Sequence, residues 1–180
     1  MAEPKIPWRQ VLAQFITEIT RSDYSFDSPN PRYVYHGIYL PRLHSSAVGK
    51  LVIGVDTSGS IGDKELNIFL SEVAAVLNDV NPQELVLISC DSKVEEVITL
   101  DSSDLEPITG LKGGGGTDYC PVFEEVERDG DLPVALIYLT DGYCNSFPTS
   151  EPDYPVLWVL TEDCKSFNPP FGTQIQMEDF

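Results

Sequence analysis

The chain has 180 residues, of which 42% are hydrophobic and 22% charged, and its formal net charge is −18 at pH 7. A chain of this length can bury a core as one domain without disulfides or a structural metal. The acidity lies after residue 50, where 25 acidic side chains accompany 5 basic ones, so we expect neither nucleic-acid nor membrane binding. The same charge would attract divalent cations and basic partners, or simply keep the domain in solution.

Residues 7 to 20 are predicted to form an amphipathic helix that begins at Pro7, a residue suited to a first helical position. The following stretch, Ser22 to Pro41, is rich in Tyr, Pro, Asn and Ser and predicts an extended segment that wraps the domain. We therefore divide the chain into an N-terminal helix and wrapping segment, residues 1–48, packed on a domain of residues 49–180. A solvated linker is the alternative, but its aromatic side chains would be costly to expose. The apolar stripe of the helix is Trp8, Leu12, Phe15, Ile16 and Ile19.

From residue 51 onward the pattern alternates between strands and helices. Four apolar runs are too unbroken for a sheet with one wet face, so both faces of the sheet must be covered. This pattern predicts an α/β fold with a doubly wound, mostly parallel, Rossmann-like sheet and helices on both faces. The four runs are 51–55, 85–90, 134–139 and 156–160.

The remaining elements are weaker in the sequence. Residues 63–78 predict a helix with Asp63 as its cap, 101–111 a short helix and 119–128 another. Val94 to Leu100 reads as an edge strand and Gln174 to Met177 as the last strand. The connection between the predicted strands 134–139 and 156–160 includes only the 13 residues 142–154 between Asp141 and Pro155, and these are rich in Pro and Ser. That crossover is near the minimum length, so we expect no long helix there and an open region beside the strand ends.

Oxygen-bearing side chains follow two of the predicted strands and a Gly-rich run. Asp56, Ser58 and Ser60 follow the first strand, Thr117 follows four glycines, and Asp141 follows the strand at 134–139. The carboxyl ends of parallel strands meet at one edge of a sheet, where open α/β folds bind ligands. Hydroxyl and carboxylate oxygens suit Mg²⁺, so the pattern predicts a metal site, although Asp-x-Ser-x-Ser alone would more often be a helix cap.

In order and type these residues resemble the metal-ion-dependent adhesion site of von Willebrand factor type A (VWA) domains. The resemblance implies that Ser58, Ser60 and Thr117 bind Mg²⁺ or Mn²⁺ through their hydroxyls, and Asp56 and Asp141 mainly through metal-bound water. A Glu or Asp of a partner protein would then complete the coordination. Asp118 would support the ligands from behind, whereas we expect Asp91 to be a solvated loop acid, and we assign no chemistry to His36 or His44.

The whole chain is similar to a bacterial family of VWA-like domains of unknown function, which usually follow a metallopeptidase-like domain in longer proteins. This resemblance implies a MoxR-type AAA+ ATPase or a metallopeptidase-like domain as partner. The chain has no His-Glu-x-x-His motif, so we expect no peptidase activity from it. The similar segments are Pro7 to Arg9, Pro29 to Tyr33, Gly37 to Pro41, Asp56 to Ser60, Pro155 to Trp158 and Pro169 to Gly172.

The cysteines Cys90, Cys120, Cys144 and Cys164 show no Cys-x-x-Cys spacing, and neither a signal peptide nor an apolar run of spanning length precedes them. This favours the cytoplasm. Cys120 and Cys144 each follow a candidate ligand by three residues, which makes a softer metal conceivable, although buried free thiols are commoner.

These patterns favour a metal-dependent protein-interaction module over an enzyme. A Mg²⁺-dependent phosphoester hydrolase is the main alternative, but such enzymes place a second Asp where this chain has Ser58. No Gly-x-Ser-x-Gly elbow surrounds Ser58 or Ser60, and Gly116 stands where a P-loop needs lysine. A scaffold with a non-functional metal site is the third reading, and the five retained ligand positions argue against it.

Overall fold

A computed structural model describes residues 7–25, 48–59, 61–80, 82–100, 111 and 114–177. This part of the chain contains three helices and six strands. In chain order they are α1 (Trp8–Ser25), β1 (Val48–Asp56), α2 (Asp63–Val80), β2 (Pro82–Cys90), β3 (Val94–Leu100), α3 (Cys120–Asp129), β4 (Ala135–Thr140), β5 (Val156–Leu160) and β6 (Thr173–Gln176).

The six strands form one sheet in the order β3-β2-β1-β4-β5-β6. All neighbours are parallel except β2 and β3, which are antiparallel. The predicted α/β fold with a mostly parallel sheet, an edge strand at 94–100 and a last strand near 174–177 is therefore confirmed. The chain leaves β1 toward β2 on one side and returns through β4 on the other, so the carboxyl end of β1 is the topological switch point.

Each face of the sheet is buried, as the unbroken apolar runs predicted. The helix-covered face packs the strand residues Leu51, Ile53 and Val55 against α1 and α2. The aromatic face packs Val52 and Leu136 against α3 and the irregular segments that follow β4 and β5. The rings of the aromatic face are Tyr119, Phe123, Tyr138, Phe147, Tyr154, Trp158, Phe167 and Phe171.

Helix α1 packs on the helix-covered face through Trp8, Leu12 and Ile16, which are at most 3% exposed. It is longer than predicted and includes Ser22 to Ser25, because the sequence places neither Gly nor Pro between Pro7 and Pro29 to stop it. Residues 22–25 of the segment predicted to be extended are therefore helical. The rest of that segment, with His36, lies outside the described residues, as does His44.

Helix α2 buries the predicted stripe, with Leu66, Phe69 and Leu77 at most 5% exposed. Its predicted cap is wrong, since Asp63 is the first residue of the helix itself. The Gly62 N–H instead donates to Glu65 Oε2 at 2.7 Å. Glu65 stands three residues after Gly62, which is the reciprocal arm of a capping box, and Asp63 in the first turn is favoured by the helix dipole.

The connection between the parallel strands β4 and β5 contains no helix, as predicted from its length and Pro content. Helix α3 follows Tyr119 as expected, whereas the short helix predicted at 101–111 falls almost wholly outside the described residues. Among the described helices, none has the length and apolar character needed to cross a membrane.

Candidate metal centre

Two buried carboxylates lie side by side at the switch point. Asp56 is the last residue of β1 and is 0% exposed, and Asp141 directly follows β4 and is 3% exposed. The two strands are paired in parallel, with Val55 beside Leu139, so their carboxyl ends reach the same edge of the sheet. Asp56 and Asp141 are therefore placed at the same edge of the sheet, and their role as metal ligands stays a prediction.

Hydrogen bonds occupy both carboxylate oxygens of Asp56. Oδ1 accepts from the Ser58 N–H at 2.9 Å, and Oδ2 accepts from the Thr140 hydroxyl at 2.9 Å. The Thr140 hydroxyl has one proton, which it gives to Asp56, so it accepts from the Gly142 N–H at 3.1 Å and from the Tyr119 hydroxyl at 3.0 Å. A buried chain of donors therefore runs from Tyr119 through Thr140 to Asp56 and fixes the carboxylate.

The electrostatics of the site favour a bound cation. Burial raises the pKa of Asp56, the hydrogen bonds from Ser58 and Thr140 lower it, and the charge of Asp141 raises it, so that the pKa lies above its ordinary value. Two nearby carboxylates in a water-poor site repel each other. A divalent cation between them would remove that repulsion.

Three further oxygens at this edge are buried and have no hydrogen-bond partner within the described residues: Thr57 Oγ1, Ser58 Oγ and Asp141 Oδ2. Ser58 Oγ lies close enough to Asp56 to lower its pKa, yet it lacks the geometry of a hydrogen bond. The other oxygen of Asp141, Oδ1, accepts from the Tyr143 N–H at 3.0 Å. Since an unsatisfied buried oxygen costs about 1–3 kcal/mol, unpartnered Ser58 and Asp141 oxygens fit a hard metal ion.

The Gly-rich loop, of which the structure describes residues 114–118, brings Thr117 to the same edge. Hydrogen bonds join this loop and the ends of β1, β2 and β4 into a closed ring, and Thr117 within it is half-buried. In order round the ring, the bonds run from Thr57 N–H to the Cys90 carbonyl (2.9 Å), Asp118 N–H to the Asp91 carbonyl (2.8 Å), the Cys144 thiol to the Thr117 carbonyl (3.1 Å), and the Thr140 hydroxyl to Asp56 (2.9 Å).

Four of the five predicted ligands, Asp56, Ser58, Thr117 and Asp141, thus lie on loops that contact one another. The fifth, Ser60, lies outside the described residues. Asp118 accepts the Cys120 N–H at 3.0 Å through Oδ1, which orients the start of α3. Its support of the metal ligands stays a prediction.

Asp91 was predicted to be a solvated loop acid, and this is wrong. It is 6% exposed, and its carboxylate accepts the N–H groups of Ser92, Lys93 and Gly115. Burial alone would raise the pKa of Asp91, but these donors lower it below its ordinary value. The signal was present in the sequence, because Asp91 directly follows a buried strand just as Asp56 does.

The thiols near this edge are favoured in their neutral form. Burial raises the pKa of Cys120 and Cys144, the two cysteines that follow candidate ligands, and burial with the nearby charges of Asp91 and Asp56 raises the pKa of Cys90 to about 12. Within the described ranges, no three His, Cys, Asp or Glu side chains group so as to hold a metal ion. A metal at this edge would therefore depend on the Ser and Thr hydroxyls.

Comparison with known proteins adds two family matches, one relative and one solved structure of similar fold. The model of a family described as "VWA-like domain (DUF2201)" matches residues 51–178, and one described as "Putative metallopeptidase domain" matches residues 1–44. An uncharacterized protein of Thermotoga maritima is 33% identical over 145 residues, which cover 79% of this chain and 35% of that protein.

The crystal structure of the ArnB paralog VWA2 from Sulfolobus acidocaldarius superposes with a TM-score of 0.50 at 17% identity. The superposition covers 65% of this chain and 35% of that one, and at this identity it shows the fold alone. The chain thus spans about a third of the length of both proteins.

Proposed function

The chain belongs to the family of VWA-like domains, and from that premise we propose that it is a metal-dependent protein-interaction module. A divalent cation, Mg²⁺ or Mn²⁺, is held at the candidate metal centre, formed by Asp56, Ser58, Ser60, Thr117 and Asp141. Through its open coordination position the cation captures a Glu or Asp side chain of a partner protein. The observation that carries this proposal is the pair of buried oxygens on Ser58 and Asp141 that have no hydrogen-bond partner among the described residues, beside a second buried carboxylate.

The hydrogen bonds at Asp56 support a division of roles among the ligands. Both of its oxygens already accept from Ser58 and Thr140, so we assign Asp56 to contact through metal-bound water and the hydroxyls to direct contact. Mg²⁺ keeps several waters and demands octahedral oxygen geometry. Neutral hydroxyl ligands leave much of its positive charge available for an incoming carboxylate.

The charge of the domain supports strict dependence on the metal. Residues 51–180 carry 25 acidic and 5 basic side chains, and such a field repels an acidic side chain that approaches without a cation. Capture of a partner carboxylate is therefore expected to require the bound metal rather than merely to be strengthened by it.

Binding, not turnover, is the output that we propose for these residues. A MoxR-type AAA+ ATPase and a metallopeptidase-like domain remain the proposed partners. Cytoplasmic location also remains a proposal. No His-Glu-x-x-His motif is present in these 180 residues, so peptidase chemistry is not proposed for them.

Calorimetric titration of Mg²⁺ and Mn²⁺ into metal-free protein tests the proposal. We expect saturable binding of one ion, lost in Asp141→Asn and retained in Asp153→Asn. The second change removes the same charge from an exposed residue that precedes the amino end of β5, at the edge of the sheet opposite the switch point. Equal metal binding by both variants would remove Asp141 from the site. Steady phosphate release from a generic phosphoester, lost in Asp141→Asn alone, would instead favour a hydrolase.

A further inference from the structure

Asp91 connects the end of β2 to the Gly-rich loop through two independent bonds. Its carboxylate Oδ2 accepts the Gly115 N–H at 3.0 Å, and its backbone carbonyl accepts the Asp118 N–H at 2.8 Å. These two bonds grip the loop on either side of Thr117. The other carboxylate oxygen accepts N–H groups of Ser92 and Lys93, so the carboxylate itself is held in place by its own turn.

The close approach of the loop to Asp91 requires glycine at residue 115. A Cβ at that position would lie 2.6 Å from Asp91 Oδ2, well inside any normal contact distance. A Cβ on the neighbouring Gly116 would meet nothing within 4 Å. Of the loop glycines that the structure describes, Gly115 is therefore the one whose missing side chain admits the carboxylate.

Anchoring matters because a run of glycines loses more conformational freedom on ordering than any other sequence. Fixing one residue costs about 1–2 kcal/mol, so a free loop would have to pay that cost whenever Thr117 met a cation. A buried carboxylate that already binds the loop removes much of this cost before the metal arrives.

We propose that Asp91 is a positioning residue of the candidate metal centre, whose buried carboxylate holds the Gly-rich loop in the conformation that presents Thr117 to the cation. This inference rests on the proposed metal-dependent function. Asp91 itself does not touch the metal. It acts through Gly115 and Thr117, and neither family matching nor the ligand motif assigns it this role.

Two variants break the anchor in different ways, and a third controls for both. Asp91→Asn keeps the size of the side chain but replaces one acceptor oxygen by a donor, and Gly115→Ala keeps the carboxylate but forces it and the loop apart. Gly116→Ala adds the same methyl group where there is room. We expect the first two to weaken Mg²⁺ binding by about 10–100-fold in calorimetry, with Gly116→Ala close to wild type.

Amide hydrogen exchange on the metal-free proteins gives a second readout that needs no cation. We expect faster exchange at Gly115 in Asp91→Asn than in wild type, with the exchange of β1 and β4 unchanged. A merely structural role for Asp91 would lower the unfolding temperature and leave both the Mg²⁺ affinity of the folded protein and Gly115 exchange unchanged, which would overturn the inference.

The two proposals fail separately. If wild-type protein binds Mg²⁺ and the Asp91→Asn and Gly115→Ala variants bind it equally well, the role of Asp91 falls and the proposed function stands. If wild-type protein binds no Mg²⁺, the proposed function falls. In that case amide exchange at Gly115 tests the anchoring by itself. Faster exchange in Asp91→Asn than in wild type would support the anchor, and unchanged exchange would overturn it.

Discussion

Both faces of the sheet are buried, but different kinds of structure cover them. The helix-covered face carries two helices of 18 residues, α1 and α2, and its core is mainly Leu, Ile and Val. The aromatic face has among its described elements only the 10-residue α3, and irregular segments cover the rest. Irregular backbone cannot present a dense stripe of side chains, so large rings fill the space that a second helix would occupy.

This difference matters for the candidate metal centre, because its loops are anchored in the aromatic face. Tyr119 and Cys144 belong to the aromatic core and also bond Thr140 and Thr117. No residue of α1 takes part in the hydrogen-bonded ring. We therefore expect substitutions in the aromatic face to weaken the proposed Mg²⁺ binding as well as to lower the free energy of unfolding. Comparable substitutions in the helix-covered face should lower the free energy of unfolding alone.

The largest effect is expected from Trp158→Ala, which removes the central ring of the aromatic face. Trp158 is 0% exposed, lies 5.2 Å from the Tyr119 ring centroid and donates to the Phe171 carbonyl at 3.0 Å. We expect a loss of about 3–5 kcal/mol in the free energy of unfolding, measured by urea denaturation, together with weaker Mg²⁺ binding.

The matched change on the helix-covered face is Leu77→Ala, at a residue that is also 0% exposed. It should cost about 2–5 kcal/mol and leave the Mg²⁺ affinity of the folded protein unchanged. If Trp158→Ala does not fold, Trp158→Phe serves in its place. Similar Mg²⁺ affinities for the Trp158 and Leu77 variants would contradict the expectation that only the aromatic face supports the candidate metal centre.

Alkaline pH should weaken the aromatic face selectively, because its core contains buried thiols and phenols and the core of the other face contains none among the described residues. Burial raises the pKa of Cys90 to about 12 and that of Tyr154 to about 12. Above pH 9 the unfolded thiol loses its proton while the folded one keeps it, so stability falls as pH rises.

For Cys90 alone, the expected slope of the unfolding free energy is about 1.4 kcal/mol per pH unit between pH 9 and 12. Denaturation curves across this range should show a flatter slope for Cys90→Ala than for wild type. Leu77→Ala should lower stability without changing the slope. An identical slope in Cys90→Ala would show that the thiol is not protected.

Gly54→Ala should disturb the aromatic face through overpacking. Gly54 on β1 is paired with Tyr138 on β4, and an added Cβ would lie 2.9 Å from the Tyr138 ring. We expect a loss of about 1–3 kcal/mol in thermal or urea unfolding. Adding Tyr138→Leu should recover part of that loss, because the two sites are in contact, and strictly additive effects would argue against the clash.

Tyr119→Phe should cost about 1 kcal/mol, since it removes one buried hydrogen bond to Thr140. The control is Tyr138→Phe, whose hydroxyl is buried without a hydrogen-bond partner in the described part of the chain. Loss of that hydroxyl should be neutral or stabilising. Equal unfolding free energies for the two variants would mean that the Tyr119 hydroxyl does not hold the Thr140–Asp56 chain.

The smallest effect should come from the rim of the helix-covered face. Glu72 on α2 accepts from Arg9 Nε on α1 at 2.7 Å, and both side chains are about a third or more exposed. Glu72→Gln should change stability by less than about 1 kcal/mol, and the difference should shrink in high salt. A larger, salt-independent loss would show that this pair orders α1.

Sequence periodicity predicted the described strands and helices well, because their apolar residues recur at the positions that face a packed core. The Asp56, Ser58 and Asp141 positions were also predictable, since each follows a buried strand. The burial of Asp91 at a strand end was likewise readable from the sequence, but the hydrogen-bond partners of Asp91 and Thr140 were not, because the bonds to Gly115 and Asp56 join residues 24 and 84 positions apart. Likewise, Asp63 was mistaken for a cap because only the geometry of Glu65 shows which residue begins α2.

The packing of α1 has a consequence for how such proteins can be rearranged in evolution. Residues 1–44 match one family model and residues 51–178 another, yet Leu12 and Ile16 from the first stretch share a core with Leu51 and Leu77 from the second. A recombination event at the border between the two matches would uncover an apolar face of the sheet. We therefore expect helix α1 and the sheet to be inherited together, because they share one core although they match two different family models.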